Sequence, residues 1–217
     1  MKLLSTIAAG LLLTSSLWAV PTLQLDIPGG LKDGDTTFSP GDVFTLQALA
    51  LNPSGTYFIS AAIVPKTPLS TDFGSFTIGG TTFSSSQNMV FGTPPIDVVI
   101  PSKDLPSHGI FETSFAEIEF NFNGTPTVPS YNTQTGLLEG QGVLNLKEFA
   151  VDTTNLAGGF AVHFDLYNTA LRNGDTILGD FAPFSHDAQS SVPDGGTTLM
   201  LLGGALGCLG ALRRRFA

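Results

Sequence analysis

The sequence predicts an all-β protein: an antiparallel β-sandwich or jelly-roll-like single domain, set between an N-terminal signal helix and a C-terminal transmembrane helix. Three observations predict it. The apolar runs between residues 20 and 191 are short and are separated by Gly, Pro, Asn and Ser. Several of them alternate apolar and polar side chains, the period of a half-buried strand. No stretch of this body has the periodicity of a long amphipathic helix. The chain therefore divides into residues 1–19, the body at 20–191, and a tail at 192–217.

The strands follow in order. Leu23, Leu25 and Ile27 share one face of the first, with Thr22, Gln24 and Asp26 on the other. Val43–Leu51 and Tyr57–Val64 come next, joined by the turn formers Asn52-Pro53-Ser54-Gly55. Ser75–Ile78 and Thr81–Ser84 flank Gly79-Gly80, a hairpin signal. Ile96–Ile100 is a short apolar run ending at Pro101. In Phe115–Phe122, Ala116, Ile118, Phe120 and Phe122 oppose Phe115, Glu117, Glu119 and Asn121, and the two glutamates read as a solvated face. Val143–Val151 reads as a strand in preference to a short helix. In Phe160–Tyr167, Phe160, Val162, Phe164 and Leu166 oppose Ala161, His163, Asp165 and Tyr167, which puts His163 on an outer face beside Asp165. Sixteen of the seventeen phenylalanines lie in the body and suit a sheet-lined core.

The ends carry a different signal. Met1-Lys2, the apolar stretch Leu3–Leu17 and the small residue Ala19 form a secretory signal peptide. At the other end stand Val192-Pro193-Asp194-Gly195-Gly196, an uncharged run from Thr197 to Leu212, and the cluster Arg213, Arg214, Arg215. As a helix, Gly195 to Leu212 spans roughly 27 Å, about the thickness of a thin hydrocarbon core. Three arginines after it act as stop-transfer charges on the cytoplasmic side. A plain membrane anchor has the same appearance. Ala188–Ser191 is the only spacer between body and tail.

The order motif, apolar run, basic cluster resembles the PEP-CTERM sorting signal in its VPDGG-type variant. Asp194-Gly195 stand where the commoner motif has Glu-Pro. The resemblance implies an exported protein of a Gram-negative bacterium, held first in the inner membrane and then processed by an exosortase. Asp104–Gly109, Phe111–Phe122, Phe164–Tyr167 and Ala182–Ser191 together resemble the choice-of-anchor N type of bacterial surface domain. That resemblance implies display at the cell surface and assigns no chemistry.

Charge and cysteine count narrow the function classes. Without the two ends, five Lys and Arg face seventeen Asp and Glu, a net charge of −12. Such a surface repels phosphate backbones and speaks against nucleic acid as a partner. The sole cysteine, Cys208, lies in the tail, so the body holds no disulfide.

Two acidic loops are candidate calcium sites: Asp33, Asp35 and Asp42 in the first, Asp175 and Asp180 in the second. Calcium takes several oxygen ligands, which Asp-Gly and Asn-Gly loops supply compactly. The same dipeptides make tight turns without metal, and neither loop has the full spacing of a known calcium motif. The three histidines, His108, His163 and His186, lack the spacing of a zinc hydrolase. Ser107-His108 and Ser185-His186 are sequence neighbours, which on a strand point to opposite faces and so make poor nucleophile–base pairs.

The expected function is therefore a non-enzymatic surface or extracellular-matrix protein, associated with exopolysaccharide or biofilm. The alternative is a carbohydrate-binding module or glycan-acting enzyme. That alternative needs aromatic platforms, and the body has only Tyr57, Tyr131 and Tyr167, since Trp18 leaves with the signal peptide.

Overall fold

The structure is a computed structural model and describes residues 22–94, 112–172, 175–182 and 186–190. Fourteen strands are described: β1 (Leu23–Asp26), β2 (Leu31–Asp33), β3 (Thr36–Phe38), β4 (Val43–Leu51), β5 (Tyr57–Val64), β6 (Ser75–Ile78), β7 (Thr81–Ser84), β8 (Val90–Gly92), β9 (Thr113–Phe120), β10 (Thr127–Tyr131), β11 (Leu138–Asp152), β12 (Ala161–Arg172), β13 (Asp175–Phe181) and β14 (Asp187–Gln189). Among the described residues, no helix is long and apolar enough to cross a membrane. The predicted signal helix and C-terminal helix lie outside those residues.

The strands form two sheets. One has the order β1-β4-β11-β6-β7, with β10 also paired to β11. The other has the order β2-β3-β14-β12-β5-β9-β8, with β13 also paired to β12. The chain passes back and forth between them, so each sheet covers the other. The prediction of purely antiparallel pairing fails at one place, where β14 runs parallel to β3.

Alternation decides which side chains meet between the sheets. From the first sheet come Leu23, Leu25, Phe44, Leu46, Ala48 and Val151. From the second come Ile59, Ala61, Ile63, Ala116, Val162, Phe164 and Leu166. Phe44 meets Phe164 edge-on across the interface at 6.2 Å, and Phe120 meets Phe149 at 5.1 Å. Such contacts add to the area term that drives burial.

The β6–β7 hairpin turns through Gly79 and Gly80, both at positive φ, as a two-residue turn between right-twisted strands requires. Gly74 is more constrained. Its φ is +77°, and a Cβ there would lie 2.1 Å from the Asn155 carbonyl oxygen. That carbonyl accepts the Ser75 N–H at 3.0 Å, so loop and strand are held together at this point.

Two substitutions test this architecture by urea unfolding. Gly74→Ala should lower stability by about 2 kcal/mol or more, through left-handed strain and backbone overlap. Phe164→Ala should cost about 3–5 kcal/mol by emptying the centre of the interface.

Candidate functional site

Strand β12 places Val162, Phe164 and Leu166 in the core. Its alternate residues, His163, Asp165 and Tyr167, must then point to the opposite face of the sheet. That face is not wet. Asp165 is fully buried, Tyr167 is buried, and the His163 side chain is 12% exposed.

Register assembles the neighbours. Asp165 pairs with Ser60 of β5, and Ser60 pairs with Glu117 of β9. On the other side, Phe164 pairs with Ala188 of β14, so Asp187 comes level with Asp165. Asp187 in turn pairs with Thr36 of β3. A row of polar residues thus crosses five strands: Thr36, Asp187, Asp165, Ser60 and Glu117. Side chains at paired positions are close enough to interact directly.

At its centre, His163 Nε2 lies 3.5 Å from Asp165 Oδ1 and 3.7 Å from Asp187 Oδ2. One ligand-type atom from each of the three falls within 4.8 Å of the others. His163 Nε2, both oxygens of Asp165 and Oδ1 of Asp187 have no hydrogen-bond partner among the described residues. Further along the row, the Tyr167 hydroxyl donates to Glu117 Oε2, and the Tyr167 ring stacks on Phe58 at 5.3 Å.

The electrostatics follow from burial. Burial pushes the Glu117 carboxyl up to about 8, with Asp165 adding to the shift and the bonds to Tyr167 and Ser60 opposing it. Burial and the Asp165 charge raise Asp187 to about 8 against the influence of His163. Burial alone would lower the His163 pKa, but Asp165 and Asp187 together outweigh it and raise the imidazole to about 10. At neutral pH these shifts favour protonated carboxyls at Glu117 and Asp187 and a positive charge on His163.

A second buried polar group lies on the outer face of the other sheet. The Gln24 amide donates to the Tyr131 carbonyl at 3.0 Å and accepts from the Thr133 N–H at 2.9 Å. The Tyr131 hydroxyl donates to Asp26 Oδ2 at 3.0 Å. His186 Nε2 is 3.2 Å from Asn132 Oδ1. Burial and the Lys32 charge push His186 down to about 4, so it is neutral at pH 7. These bonds fasten the loop after β10 over β1.

The acidic residues singled out in the sequence sit elsewhere. Asp33 ends β2, Asp35 lies in the turn to β3, and Asp42 precedes β4; all three are exposed. What reads as a loop is thus mostly a hairpin with Gly34-Asp35 as its two-residue turn. Asp175 and Asp180 belong to β13, paired with Arg172 and Asn168, instead of forming a loop; their side chains lie outside the described residues. The one group of three or more metal-type side chains among the described residues is His163, Asp165 and Asp187.

Two further expectations change. Glu119 is exposed as expected, but Glu117 is largely covered and bonded to Tyr167, so the pair is not a common solvated face. Ala188 and Gln189 are part of β14 and are no spacer. Ser190 is buried, donating its N–H to the Val162 carbonyl and accepting the Val162 N–H on Oγ. His108, Ser107, Ser185, Val192–Gly196 and Arg213–Arg215 lie outside the described residues. The sequence pattern marked His163 and Asp165 as neighbours on one face; nothing in it linked them to Asp187, because that link is a strand pairing.

The protonated Glu117 gives a pH signature. A carboxyl whose folded pKa is raised stabilises the fold fully below its unfolded value near 4.5, and that contribution is lost as pH rises through about 8. Glu117→Gln keeps an acceptor for Tyr167 and cannot ionise. Its stability should match the wild type near pH 4 and exceed it at pH 9 by on the order of a few kcal/mol, read from urea midpoints at each pH. Parallel pH profiles for the two proteins would refute the assignment.

Compared with known proteins, the chain carries a VPDSG-CTERM motif at residues 191–216. Here Gly195 stands at the serine position of that motif's name. No curated protein and no solved structure matches the chain. The motif is a PEP-CTERM-like sorting signal, which suggests an exported, exosortase-type substrate and is consistent with a membrane-anchored precursor.

Proposed function

We propose that this chain is a non-enzymatic β-sandwich of the cell surface or extracellular matrix, delivered there by exosortase processing and associated with exopolysaccharide. The observation that carries the reading is the sorting motif at residues 191–216. The signal-peptide pattern at Met1–Ala19 agrees with it, since both ends direct the body to the outside. The resemblance of the body to the choice-of-anchor N type supports display as its purpose. So does its acidic composition, which keeps a secreted domain soluble and away from nucleic acid.

Among the described residues, the tyrosines and the Glu117–Glu119 pair favour a non-enzymatic, non-lectin role over the glycan-directed alternative. A sugar platform needs exposed aromatic rings near polar groups. Tyr57 and Tyr167 are buried, and Tyr131 is half-buried with its hydroxyl committed to Asp26. Glu117 and Glu119 lie on one strand instead of facing each other across a cleft, the arrangement a glycosidase requires.

The expected mature protein lacks both terminal segments and ends near Val192–Gly196. Because Ser190 is fixed to Val162 and Ser39, only a few residues would then extend beyond the sandwich. Intact mass of the protein from fractionated native cells checks this. A full-length C-terminus in the inner membrane would overturn the sorting reading and leave a membrane-anchored domain.

A further inference from the structure

We infer that His163, Asp165 and Asp187 form a binding site for one divalent transition-metal ion, with zinc the best match. Three independent features of the cluster carry this.

The first is spacing. The imidazole Nε2 stands 3.5 Å from one carboxylate and 3.7 Å from the other. A charge-assisted N–H···O bond closes to about 2.7–2.9 Å. These gaps are wider. Two donors that share a tetrahedral ion at about 2.1 Å are separated by roughly 3.4 Å. Both nitrogen–oxygen gaps are close to such an edge, and the three ligand-type atoms all lie within 4.8 Å of one another.

The second is the uncommitted donors. Asp165 is fully buried, yet both its oxygens lack a hydrogen-bond partner among the described residues. Asp187 is 3% exposed and its Oδ1 is equally unpartnered. So is His163 Nε2. His163 is an ion-pair neighbour of both aspartates, but neither contact closes to a hydrogen bond, and buried polar groups are otherwise nearly always hydrogen-bonded. A cation at the centre of the three supplies a close ligand bond to each and replaces the protons that His163 and Asp187 otherwise hold.

The third is the donor set. One imidazole nitrogen and two carboxylate oxygens suit zinc, which takes nitrogen and oxygen ligands at low coordination number. Calcium takes six to eight ligands, all oxygen, and fits this set poorly. Three side chains leave one tetrahedral position for water. Two of the ligands stand two residues apart on β12 and the third on neighbouring β14, so the strand pairing itself fixes the geometry.

The full chain, unfolded in chelator and refolded with zinc, should retain about one equivalent after dialysis and melt at a higher temperature than the metal-free protein. Asp165→Asn and His163→Gln should each weaken zinc retention by tenfold or more while keeping the far-ultraviolet circular dichroism of a β protein. Cobalt(II) in place of zinc should give the intense visible bands of a tetrahedral nitrogen–oxygen site, a readout that does not depend on any variant folding. Substoichiometric zinc with an unshifted melting temperature would overturn the proposal, and would leave His163 as an imidazolium beside Asp165 and Asp187. Octahedral cobalt spectra would overturn it too, as would Asp165→Asn loading zinc like the wild type. Calcium binding that leaves cobalt spectra featureless would move the metal site to the exposed aspartates and likewise overturn it. None of these results depends on whether an exosortase cuts the tail.

Discussion

Over residues 161–167, strand β12 has no face to give to water, and the rest of the molecule is arranged around that constraint. Its even-numbered residues Val162, Phe164 and Leu166 close the space between the sheets, where Phe164 touches Phe44 of the opposite sheet. Its odd-numbered residues His163, Asp165 and Tyr167 are also shut away, on the far side. A strand buried on both faces is ordinarily apolar throughout. Here one face is charged, so its cost must be met by specific partners from β14, β5 and β9. Those partners fix the register of four strands at once, since a one-residue slip would put Asp165 into the hydrocarbon core.

Much of this fold was legible in the sequence. The boundaries of Val43–Leu51, Tyr57–Val64 and the Gly79-Gly80 hairpin coincide with β4, β5 and the β6–β7 pair, because apolar alternation and glycine turns are local signals. Short strands were not legible. β2 and β3 are three residues each and rich in Asp and Thr, so the hairpin around Gly34 looks like an acidic loop. β13 and β14 are held by pairing to β12 and have weak patterns of their own.

The candidate site shows where local pattern stops. Alternation assigns a side chain to a face, and it placed His163, Asp165 and Gln24 correctly. It says nothing about what covers that face. Gln24 is fully buried beneath the Tyr131–Thr133 segment, and Asp165 is fully buried in its polar row. Acidic residues near glycine in sequence attract attention as cation ligands. The three side chains that converge are instead drawn from positions 163, 165 and 187, and they meet only because β14 lies against β12. The acidity of the composition is likewise two populations. Asp33, Asp35 and Asp42, with Asp72, Glu112, Glu119 and Glu148, are exposed and contribute to the outward charge, whereas Asp165, Asp187 and Glu117 act inside.

The position of β14 bears on how such a domain can reach its final form. It is the last described strand in the chain, yet it lies inside the sheet, parallel to β3 on one edge and antiparallel to β12 on the other. Long-range pairings of this kind are late and slow to form. A polypeptide threaded through a membrane N-terminus first would expose the β3 and β12 edges until residues 187–189 cleared the pore. During that interval unpaired edges invite aggregation, so holdase chaperones on the far side of the membrane would have a defined target and a defined moment of release. Completion of the sheet would then coincide with arrival of the tail at the membrane, and folding itself would time the handover of the finished domain.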